Sequence, residues 1–357
     1  MAACWVVIYH VAYSAKAGTP ARVLINHGYL AVDLFFLLSG FVLALNYGHA
    51  FSDRWILRTY IGFLQKRIAR IYPLFVISVV GFVVLARSGY LYNLHAFYED
   101  LPLNLALMAS WHTNASTFDG PAWSISCEWL AYLMFPVLCR LTLGGSRLVA
   151  IASIAGSLAI LVALVSLPAW RLHESGFRSG PLDIWVNSTF GPVARCVAEF
   201  NIGVGLFRIG LAPFWRRVTS GRAYVPAVTA VMLLLLSFPG TDLAIVGLFA
   251  LLILGLSTSD GAIATGLGSA PIHFLGVISY SVYLLHAPIL AGFREIWVHR
   301  GIEPTQLLSA AILLAATLPA ATASYFIIER PGRNFIARLP ISPAFPRAPA
   351  PAPGEPR

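Results

Sequence analysis

The sequence predicts an all-α fold: a polytopic integral membrane helix bundle of about ten transmembrane helices, plus one re-entrant or interfacial segment. Three observations predict it. The 357 residues are 58% hydrophobic and 11% charged, against roughly 45–50% and about 25% in soluble domains. The apolar residues come in runs of about 20, the length that crosses a bilayer core. Lys and Arg gather in short clusters between those runs and form no long basic stripe. This excludes a soluble globular enzyme, a disordered chain, a collagen and a coiled coil. The net charge of +9 then belongs to membrane topology, and no nucleic-acid partner is expected.

The runs fall at 1–14, 29–47, 71–88, 122–139, 148–167, 192–209, 223–238, 242–257, 272–291 and 306–328. No Lys or Arg precedes the first, so it reads as a membrane helix and not a signal peptide. Only "PGTD" separates the seventh from the eighth. The stretch 101–111 would cover roughly 16 Å as a helix, about half a bilayer core, and is the re-entrant or interfacial one. With the 48–70 loop in the cytoplasm, sixteen of the 24 Lys and Arg residues fall inside. That bias predicts an even number of spans and two cytoplasmic termini. Residues 1–338 form one membrane domain, and 339–357, rich in Pro and Ala, form a disordered cytoplasmic tail. Cys4, Cys127, Cys139 and Cys196 lie in or beside apolar runs without metal-ligand spacing. They read as small buried residues, and no metal is expected.

Ionisable groups inside a bilayer are costly, and each is a functional hypothesis by default. His10 lies in "WVVIYHVAYS" and Asp33 in "HGYLAVDLFFLLSGF". Gly28 and Gly40 in the latter stretch permit a tight turn or a close helix approach. Ser124, Glu128 and Tyr132 recur every four residues on one helix face, and a polar face must turn into the bundle. Ser279, Tyr283 and His286 form a second stripe. Packing and catalysis are both compatible with each stripe. Glu199 is spaced to pair with Arg195 four residues earlier. Arg67 and Arg70, with Lys66 beside them, share a face in "FLQKRIARIYPLF". They suit either positive-inside anchoring or an anion clamp, since two guanidinium groups can grip a phosphate or pyrophosphate. An anion grip at one boundary and a histidine with carboxylates in the bundle suit group transfer from a phosphorylated cytosolic donor. They equally suit proton-coupled transport of an anion.

The pieces "VVIYHV", "GYLAVDLFFLLSGFVL", "KRIARIYPLF", "AWSISCEWLAYLMFP", "ISYSVYLLHAPIL" and "IIERP" occur in an order that resembles the membrane acyltransferase 3 family. These are bacterial O-acyltransferases of polysaccharide, O-antigen and Nod-factor type. The resemblance spans residues 6 to 331. It implies about ten spans in the bacterial cytoplasmic membrane, acyl-CoA (usually acetyl-CoA) as co-substrate, and a hydroxyl on a carbohydrate or glycolipid as acceptor. It implies that His10 is the catalytic histidine and that Arg67 and Arg70 meet the donor. It matches Glu128, Trp123, Ser124 and Ser126 to the family's "WS-S-E" element, Asp33 and Gly40 to its "VDLFF-SGF" element, and His286 to its "SYS-YLLH" element. No bound cofactor and no further esterase-like domain are expected. The family pattern has an arginine eleven residues before its histidine, which here falls before Met1. The first run would also span only about 21 Å. The physiological protein is therefore expected to start upstream, or this form to be impaired.

The implied chemistry is attack of the acceptor hydroxyl on a thioester. His10 would be the general base, or would carry the acyl group covalently, and Glu128 or Asp33 would orient it. A transporter or flippase is the rival reading, although neither inverted halves nor paired broken helices are visible.

Overall fold

Each predicted apolar run is mainly helical over its described residues in the computed structural model, which describes residues 1–12, 20–52, 56–85, 94–168, 179–259 and 261–340. Nearly all of the predicted tail, and Arg54 of the 48–70 loop, lie outside the described residues. The helices are α1 (Ala2–Ala12), α2 (Pro20–Asn26), α3 (Ala31–Tyr47), α4 (His49–Ser52), α5 (Leu57–Leu85), α6 (Leu94–Leu105), α7 (Ala122–Cys139), α8 (Arg147–Ser166) and α9 (Gly191–Gly210). They continue with α10 (Pro213–Thr219), α11 (Tyr224–Leu235), α12 (Asp242–Thr258), α13 (Ala262–Leu267), α14 (Ala270–Val277), α15 (Ser279–Arg300), α16 (Gln306–Ser324) and α17 (Arg330–Arg338). No strand occurs among the described residues.

The protein is an integral membrane protein with five to seven candidate membrane spans by length and composition. The upper figure counts α9 with α10 and α14 with α15 as single spans, bent by 97° and 60°. Helices α1, α11 and α12 are apolar but shorter than 18 residues, so about ten crossings are not established by length.

Three elements depart from the sequence reading in ways that shape the site. Helix α5 begins at Leu57 and not near 71. Its first four turns carry Arg58, Lys66, Arg67 and Arg70, a stretch that a search for apolar runs passes over. The second predicted run is preceded by α2 and a 3₁₀ turn, His27–Leu30. Gly28 permits that turn, because a Cβ there would lie 2.5 Å from Tyr9 Cβ on α1. The ninth run breaks at Ile278, where the Ser279 hydroxyl donates to the Gly276 carbonyl (2.8 Å).

The bundle is assembled around α3 packed along α9. A Cβ on Gly40 would meet the Phe200 carbonyl oxygen at 2.0 Å, and one on Gly203 would meet that of Leu37 at 2.1 Å. Each backbone thus fits the other's glycine, the close approach that small residues allow between membrane helices. A cluster of Phe51, Phe63, Phe135 and Phe200, all at most 2% exposed, joins α4, α5, α7 and α9 through ring contacts.

Two segments without long helices lie together. Residues 106–121 include Leu107 and His112 at φ 59° and 57°, backbone that non-glycine residues seldom adopt. Ser126 on α7 fastens this segment: its hydroxyl donates to the Leu107 carbonyl (2.9 Å) and accepts from the Ser110 N–H (3.0 Å). The Trp111 indole N–H donates to the Ser126 carbonyl (2.8 Å). The second segment, 179–190, joins the first through Asn187. Its side-chain amide donates to the Ala115 carbonyl (3.0 Å), and its backbone carbonyl accepts from the Thr113 N–H (3.0 Å). Both segments therefore stand at the same end of the bundle.

Candidate active site

His10 meets a second histidine. Its Nδ1 lies 2.9 Å from the Val6 carbonyl oxygen on its own helix and 3.3 Å from His286 Nε2 on α15. His286 Nδ1 in turn lies 2.6 Å from the Tyr283 carbonyl oxygen. A carbonyl only accepts, so both Nδ1 atoms carry hydrogen, and His286 Nε2 accepts from His10. The proton inventory leaves His10 Nε2 as the nitrogen with the free lone pair. His286 is fully buried, whereas His10 is exposed because it lines a cavity of about 860 Å³.

The two interlocked segments supply the far wall of this histidine cavity: Asn114 and Ser116 from one, Asp183, Trp185 and Asn187 from the other. Trp123 of α7 and Tyr9 of α1 complete it. The Ser179 N–H donates to Asp183 Oδ2 (2.9 Å), and the Tyr9 hydroxyl approaches the same oxygen at 3.3 Å. Burial pushes the Asp183 carboxyl above its ordinary range, opposed by those two donors and the nearby Arg195.

A second cavity, about 270 Å³, is lined by Arg67, Arg70, Ser39, Glu128, Tyr132 and Ser279, among others. The Glu128 carboxylate accepts from the Ser39 hydroxyl (2.6 Å) and the Tyr132 hydroxyl (2.5 Å). Arg70 pairs with Glu329 at 3.2 Å and lies over the Tyr280 ring. Arg67 lies over Tyr47, Phe63 and Tyr132, and its buried Nε has no hydrogen-bond partner. Lys66 lies over Tyr47 and does not line this cavity.

The structure sorts the predicted residues into these two groups. Of the second stripe, Ser279 lines the arginine cavity, Tyr283 lines both cavities, and His286 holds His10. Ser124 hydrogen-bonds the Tyr283 hydroxyl (2.8 Å). Neither carboxylate predicted to orient His10 touches it. Asp33 is fully buried and bound by the Arg195 guanidinium through both nitrogens of one edge, one contact at 2.9 Å. Trp123 covers that guanidinium at 5.5 Å. Glu199 does approach Arg195, at 4.0 Å. Arg195 answers both carboxylates because i and i+4 of α9 face α3 together.

The sequence reading missed Tyr9, Asp183, Trp185 and Asn187. The signal for the last three is "PLDIWVNSTF", a polar and aromatic stretch between two runs that has no helical period. Among the described residues, no group of three or more His, Cys, Asp or Glu side chains could hold a metal ion.

A family model described as an acyltransferase domain matches residues 1–327. The chain is 28% identical to acyltransferase MdmB of Streptomyces mycarofaciens, over 94% of this chain and 89% of the relative. It is 25% identical to the putative peptidoglycan O-acetyltransferase YrhL of Bacillus subtilis (strain 168), over 87% of this chain but 51% of that protein. A shorter match, 53% identical over 51 residues, links it to protein 2 in the picA locus of Rhizobium radiobacter, over 14% of this chain and 26% of that protein. No solved structure matches significantly. With the family model spanning most of the membrane bundle, the chain belongs to the acyltransferase 3 family and is an O-acyltransferase.

Proposed function

We propose that this protein transfers an acyl group, acetyl in the simplest case, from acyl-CoA to a hydroxyl of a glycan or glycolipid, with His10 as general base. The observation that carries the reading is the lone pair left on His10 Nε2, in a cavity that shares a wall with one lined by two arginines. The bundle sits in the bacterial cytoplasmic membrane as about ten spans, the three short helices included. The arginine cavity opens to the cytosol. Arg67 and Arg70 grip the CoA phosphates bidentately.

The acceptor enters the histidine cavity. Its lining of tryptophans, asparagines, serine and aspartate suits a polyol, which needs both apolar ring faces and hydroxyl partners. The relative named as a peptidoglycan O-acetyltransferase supports a carbohydrate acceptor. His10 Nε2 removes the acceptor's hydroxyl proton as the oxygen attacks the thioester carbonyl. The carbon–oxygen bond forms, the carbon–sulfur bond breaks, and the imidazolium returns the proton to the CoA thiolate. His286 fixes the tautomer from the other side of the ring, the part a carboxylate plays in a Ser-His-Asp triad.

The test uses membranes containing the protein, radiolabelled acetyl-CoA and candidate glycans. Label appearing as a base-labile ester on the glycan, and lost with His10→Ala, is the expected result. Solute uptake independent of CoA, with no ester formed, would overturn it.

A further inference from the structure

We infer that Val32 and Tyr283 form the aperture between the two cavities and set the length of acyl group that crosses it. This rests on the acyl-transfer reading above. The histidine and arginine cavities have Val32 and Tyr283 in common and, among the described residues, share no other lining residue. A donor held by Arg67 and Arg70 reaches His10 only where the cavities adjoin. The thioester carbonyl therefore comes to the wall between these two side chains. There the acceptor oxygen bonds to the acyl carbon, the sulfur leaves as thiolate on the arginine side, and His10 passes it the proton taken from the acceptor.

Both sides of the wall are fixed. Val32 stands in the first turn of α3 and is 5% exposed. A valine in a helix keeps essentially one rotamer. Its neighbour Asp33 is bound by Arg195, which holds that turn in place. The Tyr283 hydroxyl donates to the Pro121 carbonyl (3.0 Å) and hydrogen-bonds Ser124. Its ring meets Phe35 edge-on, with centroids 6.1 Å apart, and its carbonyl binds His286. Moving the Tyr283 side chain aside would break both of its hydroxyl hydrogen bonds. The aperture therefore does not widen for a longer chain. An apolar site that discriminates by single methylenes does so by roughly 10–200-fold.

The test compares acetyl-, propionyl- and butyryl-CoA in membranes with Val32→Ala and Val32→Phe variants. The alanine variant should raise the butyryl-to-acetyl transfer ratio at least about tenfold, and the phenylalanine variant should lower the propionyl-to-acetyl ratio. Unchanged ratios beside an active wild type overturn the aperture and leave acyl transfer standing. A measurement independent of catalysis uses Val32→Cys, with the parent chain as background for the native cysteines. A charged, membrane-impermeant methanethiosulfonate should label Cys at 32 in right-side-out and in inside-out vesicles alike. Labelling from one side alone overturns the shared wall. Labelling from both sides with no acyl transfer in the wild type supports the wall and rejects the functional reading beneath it.

Discussion

The arginine cavity and the histidine cavity are built from different materials. The first is small, lined from α3, α5, α7 and α15, and carries formal charge in Arg67, Arg70 and Glu128. The second is about three times larger in volume, and about two thirds of its lining residues come from the segments 106–121 and 179–190. Its lining is aromatic and mostly neutral. Charge on rigid helices suits a ligand whose phosphates are always the same. A large neutral wall of loop residues suits a ligand that varies between relatives, since loops accept change that spans do not. On the proposed reading the contrast separates donor from acceptor recognition, so substitutions should divide into two kinetic classes.

The largest effect belongs to the point where the classes meet. His10→Ala should lower turnover by about 10²–10⁴-fold, the usual worth of general base catalysis, with membrane insertion unchanged. His286→Ala should cost less, because His10 Nδ1 keeps the Val6 carbonyl while losing its second partner. An equal loss in both variants would make the pair a single unit and dissolve that ranking.

Next comes the donor class. Arg67→Ala with Arg70→Ala should raise the donor KM by roughly tenfold or more, since a hydrogen bond to a charged group contributes about 1.5–3 kcal/mol. The acceptor KM should stay within about twofold. Lysine at both positions should restore little, because a point charge lacks the two-nitrogen fork. A donor KM unmoved by the double alanine variant would assign the pair to Glu329 and to membrane anchoring alone.

How much of this was legible follows the same division. The arginine cavity was readable in part: Ser124, Glu128 and Tyr132 line it together, as their spacing of four requires, whereas nothing in that spacing specified that Glu128 and Ser279 would join the arginines. Helical period converts sequence distance into direction. The His10–His286 contact joins residues 276 apart, and no local pattern specifies it. A polar stripe announces that it faces the bundle and stays silent about which partner it meets. The Arg195–Asp33 pair was hidden for the same reason. The loop-built wall had no period at all, and Asn187 acquires meaning only when two distant segments interlock.

The acceptor class gives smaller effects. Asp183→Asn should raise the acceptor KM by several-fold to about tenfold, with the donor KM unchanged. The amide keeps one oxygen for the Ser179 N–H and gives up charge and one acceptor site. A change confined to the donor KM would show that the two cavities do not divide the substrates as proposed.

The smallest effect tests whether the loop wall can be loosened on its own. Asp119 lies beside Gly120 and Pro121 of the histidine cavity and is 1% exposed. Its Oδ2 accepts from the Ser78 hydroxyl (2.7 Å), and its Oδ1 has no hydrogen-bond partner. Burial pushes this carboxyl up to about 8, against the opposing hydrogen bond from Ser78. The folded protein thus holds a proton there that the unfolded chain releases near pH 4. That contribution to stability is fully present below the unfolded value and is lost as pH rises through about 8. Thermal unfolding in detergent should fall by a few degrees between pH 6 and pH 9, on the scale of about 2–4 °C per kcal/mol. In Asp119→Asn, neutral at every pH and still able to accept from Ser78, that part of the fall should vanish. Over the same range the acceptor KM of the wild type should rise before the donor KM does, because Asp119 anchors a wall of one cavity and touches neither arginine. A fall of equal size in the asparagine variant would locate the pH sensitivity elsewhere and leave the loop wall as firm as the helices.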